Sequence, residues 1–159
     1  SVELVSTDES VAADGTNTYN DTGTFVIKYK VTAVGDTVYV ADGVTATTAT
    51  SISSTTLGTD ANLYRLDIGG TATVSAVTDL ITYTTDDGAE DSSNGFQLEE
   101  GESAVVTMTV ARTNTSVYQG CGLMRVFLQS IGWNTNDSTT FNVYDFNLED
   151  FKTDPISVN

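Results

Sequence analysis

Two stretches of this 159-residue chain gather oxygen-bearing side chains at the density a hard cation requires. Asp86, Asp87, Glu90 and Asp91 fall close together, and Asn134, Asn136 and Asp137 form a second cluster. Calcium takes about six to eight oxygen ligands, which acidic loops of this kind supply. Neither stretch has the Asp-x-Asn/Asp spacing, central glycine and late glutamate of a helix–loop–helix calcium site. Calcium therefore stands beside a plainer reading, in which both stretches are solvated acidic turns. Paired carboxylates could also serve a glycosidase, but hydrolysis needs one raised and one ordinary pKa in a cleft with aromatic walls. The tyrosines and the tryptophan fall on strand alternation and read as core or sheet face. With no histidine there is no serine–histidine–acid triad, no cysteine–histidine pair and no histidine-ligated metal. We expect no enzymatic activity and no cofactor other than calcium.

The remaining reactive positions are few. Asn20, Asn114 and Asn136 each begin an Asn-x-Ser/Thr acceptor for glycosylation. In a chain with 28 threonines, some such triplets arise by chance. The lone cysteine, Cys121, allows no internal disulfide; it is either a small buried hydrophobe or one half of an intermolecular bond. Six basic against 22 acidic residues give a formal charge of −16. That balance cannot build the basic face that nucleic acid needs. No run of apolar residues is long enough to span a bilayer as a helix. Many threonines, few lysines and almost no cysteine suit an extracellular or cell-surface module.

These residues must be positioned by strands, because period-two alternation dominates. In residues 24–34, Phe25, Ile27, Tyr29, Val31 and Ala33 share one face, with Lys28, Lys30 and Thr32 on the other. Gly35-Asp36 and Asp42-Gly43 flank a short second strand at residues 37–41. Residues 45–59 are threonine, serine and alanine with little else, an edge strand or a loop. Further strands are expected over 62–68, 71–85 (one bent strand or two), 96–98, 102–112, 121–133 and 139–146. Ala104, Val106, Met108 and Val110 share an inward face, and Met124, Val126 and Leu128 are candidate core. Residues 86–95 read as an acidic surface loop. The expectation is one domain over residues 1–159: an all-β, antiparallel, immunoglobulin-like β-sandwich of about eight to ten strands. A 16.8 kDa chain can bury about two-thirds of its surface, enough for such a core without disulfides or metal.

The run Leu98-Glu99-Glu100-Gly101-Glu102-Ser103, followed by an alternating Val/Thr strand to Val110, resembles immunoglobulin-like adhesion-type modules of bacterial and archaeal surface proteins. In that pattern the leucine plugs the core and the glycine permits the turn. Residues 23–33, 124–133 and 148–154 are similar to C-terminal β-sandwich domains of secreted surface proteins from candidate-phylum bacteria. Together the segments cover about a quarter of the chain. The resemblance implies an extracellular, non-enzymatic sandwich and carries over no catalytic residue. The cysteine–tryptophan–cysteine core of antibody domains is absent.

The ends of the chain carry the sharpest functional expectation. Val2, Leu4 and Val5 lead, ahead of a polar stretch to residue 17, and Ile156 and Val158 alternate at the other end. A terminal strand either completes its own sheet or is donated to the open edge of a neighbour. Residues 1–12 are the candidate donated strand. The leading function is a self-assembling subunit of an extracellular filament or surface layer, with copies of itself as partner. The alternative is an adhesion module for surface glycans or a host surface, calcium-stabilised, with an aromatic platform. A viral tail or capsid decoration domain is compatible with the same composition. No nucleic acid and no membrane insertion of the chain are expected.

Overall fold

The computed structural model describes residues 1–15, 20–48, 62–73, 80–86, 88–113 and 122–158. Asp87, Asn114, Cys121 and most of the threonine-rich stretch 45–59 lie outside the described residues. All regular structure among the described residues is β, in two sheets packed together. The strands are β1 (Val2–Ala12), β2 (Thr22–Thr32), β3 (Val38–Ala41), β4 (Val44–Ala46), β5 (Asn62–Ile68), β6 (Thr71–Thr73) and β7 (Leu80–Thr85). There follow β8 (Glu90–Ser92), β9 (Gly95–Leu98), β10 (Ser103–Thr113), β11 (Gly122–Asn134), β12 (Asn142–Asp145) and β13 (Ile156–Val158).

The first sheet has the order β1-β2-β10-β7, with every neighbouring pair antiparallel. Its two central strands bear the strictest alternation. Phe25, Ile27, Tyr29 and Val31 of β2, and Ala104, Val106, Met108 and Val110 of β10, are all buried. Full burial of a large aliphatic or aromatic side chain contributes about 1.5–3 kcal/mol, so this pair of strands anchors the core. The second sheet is built around β11. β5 and then β3 line one side of it, while β13, a bridge at Lys152 and β12 follow one another along the other. Tyr64, Leu66, Leu98, Met124, Val126 and Leu128 close the core from this side.

Two readings of the sequence are resolved by the pairing. The segment 71–85 supplies strands to different sheets, β6 beside β5 and β7 beside β10. The acidic stretch 86–95 is not all loop, because Glu90–Ser92 pairs with β9. β8 buries no apolar residue, so alternation cannot reveal it; main-chain bonds alone make it a strand. Gly95 permits the close approach at its base, since a Cβ there would run into the Val40 carbonyl oxygen. Gly101 adopts φ 87° in the turn before β10, the turn its sequence requires. Thirteen strands are formed among the described residues, more than alternation suggests, because several are only three or four residues long.

A buried polar cluster ties the sheets together. The Tyr29 and Tyr83 hydroxyls are 2.6 Å apart. Asn62 Nδ2 donates to the Tyr83 hydroxyl at 3.1 Å and to the Ala41 carbonyl at 2.5 Å. The Gly132 N–H donates to Asn62 Oδ1 at 2.8 Å. The Asn62 amide thus joins β5 to β3, β7 and β11, and the Tyr83 hydroxyl carries the link on to β2. Burial pushes both tyrosine pKa values up, because the phenolate would be stripped of water.

Candidate functional site

The candidate site is the side of the molecule where the sandwich is open, along β1 and the adjoining end of β12. β1 pairs with β2 over ten positions, from Val2 opposite Val31 to Ala12 opposite Thr22. The register shifts between Leu4 and Ser6, so Val5 sits in a bulge. This keeps Val2, Leu4, Thr7, Glu9 and Val11 on the inner face of the sheet, opposite Val31, Tyr29, Ile27, Phe25 and Gly23. Yet little of β1 is covered. Leu4 is 40%, Val5 53% and Val11 42% exposed, and Val2 alone among its side chains packs against the core cluster. β1 is held chiefly by main-chain bonds. Its far edge has no partner among the described residues. The start of the chain is fixed: the Ser1 ammonium donates to the Thr32 carbonyl at 2.6 Å, and the Thr32 N–H to the Ser1 carbonyl at 2.9 Å.

The other terminal strand is placed differently. Ile156 pairs with Met124 and Val158 with Gly122. Val158 is buried against Gly23, where an added Cβ would meet it at 2.7 Å. Of the five residues expected to serve assembly, Leu4 and Val5 are exposed, Val2 and Ile156 are half-buried, and Val158 is core.

Beside Ser1 and Val2 opens a cleft of about 680 Å³. Valines 2, 31 and 34 form one wall, Ile131, Trp133, Tyr144 and Phe146 the other, and Asp145 and Asp150 also line it. Tyr144 packs edge-on to Phe146 at 5.2 Å, and Phe146 stacks on Phe151 at 4.1 Å. Trp133 is 36% and Tyr144 56% exposed. The floor is a tight turn in which Asn147 and Leu148 both take left-handed φ, 53° and 59°. That conformation costs a leucine about 1–2 kcal/mol. Asp145 Oδ1 offsets the cost by accepting from the Asn147 N–H at 2.8 Å and from Gln129 Nε2 at 2.6 Å.

The acidic residues do not converge. Asp86 Oδ1 accepts from the backbone N–H groups of Val105 at 2.9 Å and Gly88 at 3.3 Å, extending the first sheet by one residue. Glu90 and Asp91 lie exposed on β8. Among the described residues no group of three or more Asp, Glu, His or Cys forms a metal cage. The two acidic stretches do meet: Asp137 accepts from Asn94 Nδ2 at 2.9 Å and the Ser93 N–H at 3.3 Å, joining the β8–β9 turn to the β11–β12 loop. These bonds lower the Asp137 pKa, the Asn94 amide first. Asn134 organises that loop, accepting from Thr135 N–H at 2.7 Å and donating to the Thr140 carbonyl at 2.7 Å. Among the sequons, Asn136 is exposed and Asn20 is half-buried, with Nδ2 3.5 Å from Asp14 Oδ2.

Sequence reading missed three features. The Tyr29–Tyr83–Asn62 cluster joins residues far apart in the chain. The placing of Trp133 and Tyr144 in one cleft depends on β12 lying beside the end of β11, where Trp133 is opposite Asn142 and Tyr144 opposite Ile131. Arg65 and Asp67 form a buried ion pair at 2.6 Å on the outer face of β5, with the Arg65 and Arg125 guanidiniums 6.0 and 4.8 Å from the Phe127 ring. Their alternation with Tyr64 and Leu66 looks like a solvated face.

Fold and site together define two packed β-sheets with an edge strand, β1, that has no second partner among the described residues, and an aromatic cleft beside it. No family model matches the chain, and no curated protein or solved structure matches it.

Proposed function

We propose that this chain is a non-enzymatic, self-assembling subunit of an extracellular filament or surface layer, held by β-strand addition. The observation that carries the reading is β1: an edge strand of eleven residues, with no second partner strand among the described residues and three exposed apolar side chains. Edges of that kind pair with other chains unless they are blocked. Strand addition uses the same main-chain bonds that hold a sheet together, with side-chain pockets setting register. The strand order supports an immunoglobulin-like reading. β1-β2-β10-β7 follows the A-B-E-D order of that fold, with β11 in the place of strand F. The acidic, threonine-rich composition supports an extracellular setting. The test replaces Val5 and Val11 with lysine, which leaves the β2–β10 core untouched. The variant is expected to keep its β circular dichroism and lose its fibres; undiminished fibres refute the proposal.

Exposed Trp133 and Tyr144 favour a second reading, adhesion to surface glycans at the cleft. Aromatic faces stack on sugar C–H faces, and Asp145 and Asp150 accept from hydroxyls. Trp133 is the single tryptophan, so its fluorescence reports stacking directly. A neutral oligosaccharide that shifts this emission, and fails to do so in Tyr144→Ala, supports the reading; a flat titration across a glycan panel removes it.

A further inference from the structure

We infer that copies of this chain join head to tail, with β1 of one copy adding to β7 of the next, so that the first sheet runs on from subunit to subunit. The inference rests on the filament reading above and names the surfaces that meet. The first sheet has two outer strands, β1 and β7, and neither has a second partner among the described residues. All its pairs are antiparallel and its strands are four, so β1 and β7 run in opposite directions. A second copy related by translation and the sheet's own twist therefore brings its β1 antiparallel to β7, with the same face outward. No subunit has to flip.

Charge selects this pairing over the symmetric one. β1 carries Glu3, Asp8 and Glu9, whereas β7 is Leu80-Ile81-Thr82-Tyr83-Thr84-Thr85, with no charged side chain. A two-fold contact between two β1 strands sets carboxylates near carboxylates, and like charges across a strand pair are destabilising. Against β7 the same acids meet threonines. Leu80, 69% exposed on the outer face of β7, and Val11, 42% exposed on the inner face of β1, supply apolar area on the two outer strands. A heterologous contact whose rotation does not close yields an open filament.

Cysteine cross-linking in the full chain tests this. In a Cys121→Ser background, Ser6→Cys or Asp8→Cys is combined with Thr82→Cys or Thr84→Cys. All four lie on the outer face, since Ser6, Asp8, Thr82 and Thr84 each share a cross-strand row with Lys28 or Val26. Facing strands bring Cα atoms to about 4.5–5.5 Å, within disulfide range. Oxidised fibres of at least one pair are expected to give a ladder of linked oligomers, and each single-cysteine chain monomer only. Linked dimers from a single β1 or β7 cysteine overturn the inference in favour of a two-fold contact. Fibres that form with no β1–β7 link overturn it and leave the filament reading standing. If no fibres form at any salt concentration, both fall.

Discussion

The buried tyrosine pair offers a prediction that can be worked from geometry. In Tyr29→Phe one hydrogen bond is lost, but the Tyr83 hydroxyl keeps Asn62 Nδ2 at 3.1 Å. The expected cost is about 1 kcal/mol, the net worth of one bond. In Tyr83→Phe the buried Tyr29 hydroxyl is left with no partner, and the cost rises to about 1–3 kcal/mol. The double variant removes both partners, so it is expected to be less destabilised than the sum of the singles by about 1 kcal/mol. Asn62→Leu strands the Gly132 N–H and the Ala41 carbonyl together, for about 3–5 kcal/mol. Urea unfolding reads these values directly. With a slope of about 1–3 kcal/mol/M, each kcal/mol moves the midpoint by about 0.3–1 M. Additive effects in the double variant, or a neutral Asn62→Leu, refute the claim that one amide and two hydroxyls lock the sheets together.

The raised pKa values of Tyr29 and Tyr83 mean that the folded state holds these protons while the unfolded chain releases them near pH 10. Stability is therefore full below about pH 10 and falls above it, by up to about 1.4 kcal/mol per unit per tyrosine, and the double phenylalanine variant flattens that slope in alkaline urea titrations. Asp67→Ala leaves Arg65 buried without its carboxylate and is expected to cost about 3–5 kcal/mol, whereas Arg65→Met with Asp67→Leu restores most of that in thermal unfolding. Assembly must bring together subunits of formal charge −16. Raising salt from about 0.01 to 0.15 M shortens screening from about 30 to 8 Å and should speed fibre growth followed by light scattering, as should calcium; growth indifferent to both contradicts an acidic contact surface.

The central strands were legible because each buries one face and wets the other. Phe25 to Val31 and Ala104 to Val110 show their roles by alternation alone, and Leu98 with Gly101 shows the plug and the turn. The extent of β1 was legible, with residues 1–12 the candidate terminal strand, but its partner was not, because the polar residues beyond Val5 are held through β2's main chain, which no side chain signals. β8 is hidden for the same reason. The ion pair at Arg65 and Asp67 breaks alternation in the other direction: charged residues are buried where solvent is expected. The cleft is set by three-dimensional adjacency, Trp133 on β11 and Tyr144 on β12, and no local pattern signals that two neighbouring strands bring these side chains to one cleft. Among the acids, Asp86 and Asp137 proved to be backbone and loop partners, roles that density of charge does not distinguish from metal ligation.

Strand addition through β1 is tested most directly by negative-stain electron microscopy of the purified chain beside its Val5→Lys, Val11→Lys variant in the same buffer. The account predicts long unbranched fibres from the unaltered chain and dispersed 16.8 kDa subunits from the variant. Dispersed monomers from the unaltered chain at every salt concentration, or identical fibres from both, would contradict it.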